Sequence, residues 1–66
     1  MTELFNSTGF EVDDRVFVIL EGQKYFGTVI KVDPRLDRIK VDYTSNNSVL
    51  RVTDWFHKSF WSKVTN

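Results

Sequence analysis

Two runs of β-forming residues, joined by a short polar turn, constrain the fold of this chain more than any other feature. They cover residues 24–33 and 38–43, and both are rich in β-branched and aromatic side chains. In the second run apolar and charged residues alternate strictly, which predicts a strand with one buried face. Gly27 interrupts the first run. A glycine inside a strand marks a bulge, a sharp bend or a close backbone approach, so we expect a strongly bent sheet.

Further strands are predicted on both sides of this pair. Residues 15–20 are apolar on both faces, which is typical of a curved strand that is covered on two sides. The glycine-containing connection at 21–23 predicts a hairpin that leads into the strand at 24–32. The turn at 33–37 carries Pro34, and proline favours the second position of a turn.

The C-terminal third of the chain predicts a fourth strand, a helical turn and a fifth strand. The fourth strand is expected at 49–52, where apolar residues alternate with Arg51. Thr53 and Asp54 resemble a helix N-cap, so a single helical turn is expected at 55–57. Residues 60–64 then predict a short last strand. The alternative is a longer helix, because Phe56, Phe60 and Val64 recur at helical spacing.

Size and composition predict a single small domain with an aromatic core. The chain has 66 residues and no cysteine, so no disulfide or thiolate metal site can reinforce it. Its six Phe, two Tyr and two Trp bury a large area each, which compensates for the short length. Residues 1–9 are predicted to be an N-terminal tail and residues 10–64 the domain. The predicted core comprises Val16, Val18, Tyr25 or Phe26, Val29, Ile30, Val32, Ile39, Val41, Leu50, Val52 and one ring from 55–61.

The charge balance argues against binding that is driven by bulk charge. Nine Lys and Arg residues face nine Asp and Glu residues. The middle of the chain nevertheless leans basic, which makes a phosphate-binding strand face possible. The candidate nucleic-acid-binding residues are Lys31, Arg35, Arg38, Lys40 and Arg51. No apolar run reaches membrane-spanning length and no signal-peptide pattern is present. We therefore expect an intracellular protein, cytoplasmic or nuclear, with no membrane partner.

The residue inventory argues against catalysis and against metal binding. His57 is the only histidine, so neither a nucleophile–histidine–carboxylate constellation nor a multi-histidine metal site has its parts. No glycine-rich phosphate loop is present. We expect no enzymatic activity, no metal and no cofactor.

Three motifs resemble those of the Tudor and chromo-barrel group. VDDRV at 12–16 is similar to the "VGD.V" opening of that group, YFGTVIKVD at 25–33 to its "Y.GTI.KVD" second strand, and VDY at 41–43 to its "V.Y/F" third strand. The resemblance covers roughly residues 10–56. It implies an all-β, five-stranded SH3-like barrel with one short helical turn before the last strand. It also implies a non-enzymatic adaptor that recognises a protein segment such as a modified tail.

The same residues also resemble the KOW module of ribosomal and transcription-elongation proteins. That pattern is a glycine in the second strand followed by "V..VD....R.KV", and here Gly27, Val29 and the residues at 32–33 and 38–41 match it. This second resemblance implies a binder of nucleic acid or of the transcription and translation machinery. Both hypotheses stay open. The trimethoprim-resistant dihydrofolate reductase of plasmids, which shares the barrel, carries a Val-Gln-Ile-Tyr motif that is absent here.

The Tudor resemblance implies an aromatic cage for methylated lysine, in which rings hold the ammonium by cation–π attraction. Tyr25 and Tyr43 occupy two of its four ring positions. Leu20 stands at the first position, and Asn46 or Val49 at the fourth, so the cage is incomplete. Trp55 is the candidate that could supply another ring. The implied ligand-binding rim therefore consists of Tyr25, Tyr43 and Trp55.

Phe60 and Trp61 are consecutive, so on a strand they point to opposite faces. One of the two rings is then exposed, which favours a contact surface for a homodimer or a partner protein. The alternative is that the exposed ring packs against Leu4 and Phe5.

Overall fold

The computed structural model describes residues 6–44 and 51–65, which form a single antiparallel sheet. Its elements are β1 (Arg15–Leu20), β2 (Gln23–Asp33), β3 (Arg38–Thr44), β4 (Arg51–His57), a 3₁₀ turn (Lys58–Phe60) and β5 (Ser62–Lys63). The strand order is β4-β3-β2-β1-β5. The predicted all-β class is confirmed. Because β4 and β5 lie at opposite edges and do not pair, the sheet does not close.

Two tight turns fix the register of the first three strands. Glu21 and Gly22 both adopt positive φ, at 51° and 78°, which is the geometry of a two-residue hairpin turn. Leu20 and Gln23 are the closing pair of this hairpin. In the next turn the Asp33 carboxylate accepts a hydrogen bond from the Arg35 amide at 3.2 Å. The predicted hairpin and the predicted turn are therefore both present.

The sheet buries one face, and its centre was predicted correctly. Val16, Val29, Ile39 and Val41 are fully buried. Val18, Tyr25 and Val32 pack against them. Tyr25 is therefore the inward ring of the pair at 25–26, and Phe26 is 46 % exposed on the outer face.

Two other members of the predicted core, Val52 and Ile30, are not fully buried. Val52 was predicted to be buried but is 44 % exposed, because it lies near the start of the edge strand β4. Ile30 is half-buried at a bulge: Val29 pairs with Val41 and Lys31 with Lys40, so Ile30 is the extra residue. Leu50 lies outside the described residues.

Phe10 extends the core beyond the predicted set and fixes the segment before it. Its side chain is buried with the central valines. The Asn6 side-chain amide donates from Nδ2 to the Phe10 carbonyl at 2.6 Å, and the Phe10 backbone amide donates to the Thr8 hydroxyl at 3.2 Å. Thr8 is itself buried. Asn6 and Thr8, which belong to the predicted tail, are thus hydrogen-bonded to the first core residue.

A backbone clamp joins the entry of β1 to the centre of β2. The Asp13 amide donates to the Val29 carbonyl at 2.8 Å, and the Val29 amide donates to the Asp14 carbonyl at 2.9 Å. The Asp14 carboxylate accepts from the Glu11 amide at 2.9 Å and pairs with Lys63 at 3.2 Å. The backbone donor at Glu11 is the main cause that lowers the pKa of Asp14 below 3.8; desolvation opposes it and Lys63 adds to it.

The predicted helical turn at 55–57 is wrong. These residues lie in β4, which pairs with β3 along its whole length, from Arg38 opposite His57 to Thr44 opposite Arg51. Pairing with a neighbouring strand outweighs the cap signal of Thr53 and Asp54. The helical turn begins three residues later, where the His57 ring nitrogen Nδ1 accepts from the Ser59 amide.

The first predicted residues of β4, at 49–50, lie outside the described part of the chain. The last strand is shorter than predicted, since β5 covers Ser62–Lys63 instead of 60–64 and pairs with Val16 and Phe17. Within the described residues no helix has the length and the apolar character needed to cross a membrane.

Candidate functional site

An apolar hollow of ≈ 280 Å³ lies on the inner side of the sheet, next to the buried core. It is lined by Val18, Leu20, Tyr25, Tyr43, Phe56, Phe60 and Trp61. None of these seven side chains is charged at neutral pH and five are aromatic. The hollow is therefore built from four strands, the 3₁₀ turn and the residue that follows it.

The rings of the hollow support one another. The Tyr43 ring lies 5.7 Å from that of Phe56 and 5.6 Å from that of Trp61, both at steep angles. Phe56 and Phe60 are stacked at 5.1 Å with an interplanar angle of 13°. Such edge-to-face and stacked arrangements are the favourable ones for aromatic pairs. The floor of the hollow is therefore preformed.

Two exposed side chains form the rim of the hollow. Leu20, at the end of β1, is 42 % exposed, and Phe60, in the 3₁₀ turn, is 41 % exposed. Beneath them Trp61 is 3 % exposed, and its indole Nε1 is buried and has no hydrogen-bond acceptor among the described residues. Of the predicted interface pair, Phe60 is the ring that offers surface and Trp61 is a core residue.

The structure brings two of the three predicted rim residues together and separates the third. Tyr25 and Tyr43 both line the hollow. Trp55 is paired with Lys40, so its side chain lies on the outer face, while the next residue, Phe56, points inward. Once residues 51–57 are recognised as a strand, the alternation of side chains along β4 predicts this outward orientation of Trp55. Of the other cage positions, Leu20 lines the hollow, and residues 46 and 49 lie outside the described chain.

The five predicted basic residues do not form one group. Lys31, Arg38 and Lys40 are neighbours on the outer face, where Lys31 pairs with Lys40 across β2 and β3. Arg51, at the far end of β4, is bound to the Asp42 carboxylate through two contacts, at 2.9 Å and 3.2 Å. Arg35 is exposed in the turn between β2 and β3.

His57 serves as the cap of the 3₁₀ turn. Its Nδ1 lies 2.8 Å from the Ser59 hydroxyl and accepts from the Ser59 amide at 3.2 Å. In residues 6–44 and 51–65, no three His, Asp or Glu side chains are grouped in a way that could hold a metal ion.

Comparisons with protein-family models, with curated proteins and with solved structures found no match to this chain. The fold and the site together define its class as a small all-β domain with an aromatic-lined surface hollow. Any more specific assignment has to come from the chemistry of its surfaces.

Proposed function

We propose that this chain is a non-enzymatic binding module that captures an extended protein segment by taking one large apolar side chain into the hollow. The observation that carries the proposal is the lining itself: seven uncharged side chains, five of them aromatic, open to solvent between Leu20 and Phe60. Exposed apolar surface of this kind marks interaction sites on small soluble domains.

The size of the hollow supports a side chain as its occupant. At ≈ 280 Å³ it lies just below the range of about 300–1,000 Å³ that is usual for small-molecule pockets. A hollow of this volume has room for one large apolar side chain, such as that of leucine, phenylalanine or tryptophan. The rest of the segment would then cross the rim formed by Leu20 and Phe60.

The chemistry of the lining favours an uncharged apolar side chain over a methylated ammonium group. A cation is attracted to the faces of aromatic rings. The faces of Phe56 and Phe60 are stacked on each other, and Trp61 is buried beneath them. Tyr25, Tyr43 and the exposed side of Phe60 remain to face a ligand, and the lining has no carboxylate that would pair with an ammonium group. The methyl-lysine version of the function is therefore the weaker one.

The finer fold assignment that accompanies this function is an SH3-like barrel of the Tudor or KOW type. Three features support it: the meander of β1 to β4, the 3₁₀ turn before the last strand, and the return of β5 to pair with β1. In such a barrel the hollow would lie between the β1–β2 hairpin and the 3₁₀ turn.

The test is a selection from a random peptide display library on the full chain. We expect the enriched peptides to share one large apolar residue and the Phe60→Asp variant to bind a synthetic copy at least tenfold more weakly, since contacts of this kind contribute more than about 1.4 kcal/mol. Calorimetric titration measures both affinities. A trimethyl-lysine peptide, tested in parallel, is expected to bind no better than its unmethylated form.

The matched control is Phe26→Asp, which places the same charge on an equally exposed phenylalanine of the outer face. It is expected to bind the peptide as the wild type does. Equal binding by the wild type and the Phe60 variant, or no enrichment of peptides at all, would rule out the hollow as the recognition site.

A further inference from the structure

Three cationic side chains and one indole ring are neighbours on the outer face of the sheet, opposite to the hollow. Lys31 on β2 is directly paired with Lys40 on β3, and Lys40 is directly paired with Trp55 on β4. Arg38 lies two residues from Lys40 on the same face. We call this group, formed by Lys31, Arg38, Lys40 and Trp55, the basic face.

Two of the three positive charges of the basic face, those of Lys31 and Lys40, have no carboxylate partner in the described part of the chain. Like charges directly opposite each other on neighbouring strands are destabilising, yet Lys31 and Lys40 form such a pair. Neither of them makes an ion pair with any residue of the described chain, whereas Arg51, Lys58 and Lys63 each have a carboxylate partner.

The remaining cation of the basic face, Arg38, has a carboxylate partner but stays accessible to solvent. Arg38 contacts Asp33 at 3.4 Å, and its side chain stays 40 % exposed. Since the whole chain is neutral, this is a local surplus of positive charge on one surface.

Trp55 adds a stacking ring to this surface. The Arg38 guanidinium carbon lies 5.1 Å from the ring centre and the Lys40 ammonium 5.9 Å from it. These contacts hold the half-buried indole from the side of β3. Because β4 is an edge strand, no described strand covers the other side of the ring.

We propose that the basic face binds single-stranded nucleic acid. Lys31, Arg38 and Lys40 would contact successive phosphates, and an unpaired base would stack on Trp55. Proteins that bind single strands combine cationic side chains along the nucleic-acid backbone with aromatic rings on which the bases stack. A duplex offers no free base to the indole, and an acidic peptide would use the cations alone. Since Trp55 and Phe56 point to opposite faces, this site is independent of the hollow.

The first measurement is the salt dependence of binding by the full chain. The probe is a fluorescein-labelled oligothymidine of roughly twelve nucleotides, followed by fluorescence anisotropy. Three phosphate contacts on a single strand give a log–log slope of about −2, so affinity should fall about 20-fold between about 50 mM and about 200 mM salt. No binding at the lower salt concentration, or a slope near zero, overturns the proposal.

The second measurement compares two lysines that each lie over an aromatic ring on the outer face. Lys40→Gln should weaken binding and reduce the slope by about 0.7. Lys24, whose ammonium lies 4.6 Å from the Phe17 ring near the β1–β2 turn, is the matched control. Lys24→Gln should leave the slope unchanged. Equal effects of the two substitutions would mean that the chain has no localised site.

The third measurement isolates the stacking contribution. Trp55→Ala should weaken binding about tenfold with the salt slope intact, and Trp55→Phe should lose less, because a phenyl ring still stacks on a base. The thermal melting of each variant checks its fold. Undiminished binding by Trp55→Ala, or competition by polyglutamate as effective as that by unlabelled oligothymidine, would indicate an acidic-polymer site and reject the assignment.

Discussion

Replacing Trp61 by alanine is expected to lower the free energy of unfolding by about 3–5 kcal/mol. The indole is almost completely buried and packs against the rings of Tyr43, Phe56 and Phe60 at centroid distances of 5.5–5.9 Å. A domain of this size has a total stability of only about 3–5 kcal/mol from its core. The variant should therefore be largely unfolded at room temperature.

Urea unfolding, followed by circular dichroism, measures this loss. Trp61→Phe is the informative control: it keeps a ring in the cluster, and no hydrogen bond is lost because Nε1 has no acceptor among the described residues. Its cost is expected to stay below about half that of the alanine variant. A Trp61→Ala variant within about 1 kcal/mol of the wild type would contradict the assignment of this ring to the core.

Adding a side chain at Gly27 is expected to cause the second largest loss in the free energy of unfolding. A Cβ atom there would lie 2.5 Å from Cγ1 of Val41, and 3.1 Å from both the Asp42 carbonyl oxygen and the Tyr43 Cβ. Overpacking of this kind costs about 1–3 kcal/mol, and the neighbours here include backbone on the paired strand that cannot move aside independently. Gly27→Ala should fall in the upper part of that range and Gly27→Val beyond it.

A double-mutant cycle with Val41→Ala tests the stated cause. Val41→Ala removes the closest atom that the new methyl group would meet. The stability lost by the double variant should therefore be smaller than the sum of the two single losses, by about 0.5–3 kcal/mol. Gly22→Ala is the contrasting control, since open space surrounds that position and only its positive φ opposes a side chain. Additive losses in the cycle would show that steric contact with Val41 is not the reason for the glycine.

The parts of the fold that depend on local signals could be predicted from the sequence. Strict alternation at 38–43 identified both β3 and its buried members, and the short connection at 21–23 identified the first hairpin. The role of Gly27 was among the predicted alternatives, and it is a close approach between neighbouring strands. The bulge lies elsewhere, at Ile30.

The parts that depend on distant partners could not be predicted in this way. Thr53 and Asp54 carry a genuine cap signal, and only the pairing with β3 makes them part of a strand. The rim position of Trp55 was implied by the Tudor and chromo-barrel resemblance, and the predicted helical turn hid the two-residue alternation that places this ring on the outer face. The burial of Phe10 and Trp61 likewise results from packing between the two ends of the described chain and the sheet, which no local pattern encodes.

The two tryptophans lie on different surfaces of the sheet, which has a useful experimental consequence. The chain contains two tryptophans, of which Trp61 lines the hollow and Trp55 belongs to the basic face. Each is therefore a reporter for one surface. Labelling with 5-fluorotryptophan gives two fluorine resonances, which Trp55→Phe and Trp61→Phe assign.

The central claim is that the aromatic hollow is the site that recognises a protein segment, and fluorine NMR tests it most directly. The labelled full chain is titrated with the peptide selected by display, and oligothymidine is added in a separate titration. We expect the peptide to shift the Trp61 resonance and leave that of Trp55 in place, and the oligonucleotide to do the reverse. A saturating peptide that shifts only Trp55, or neither resonance, would contradict the claim.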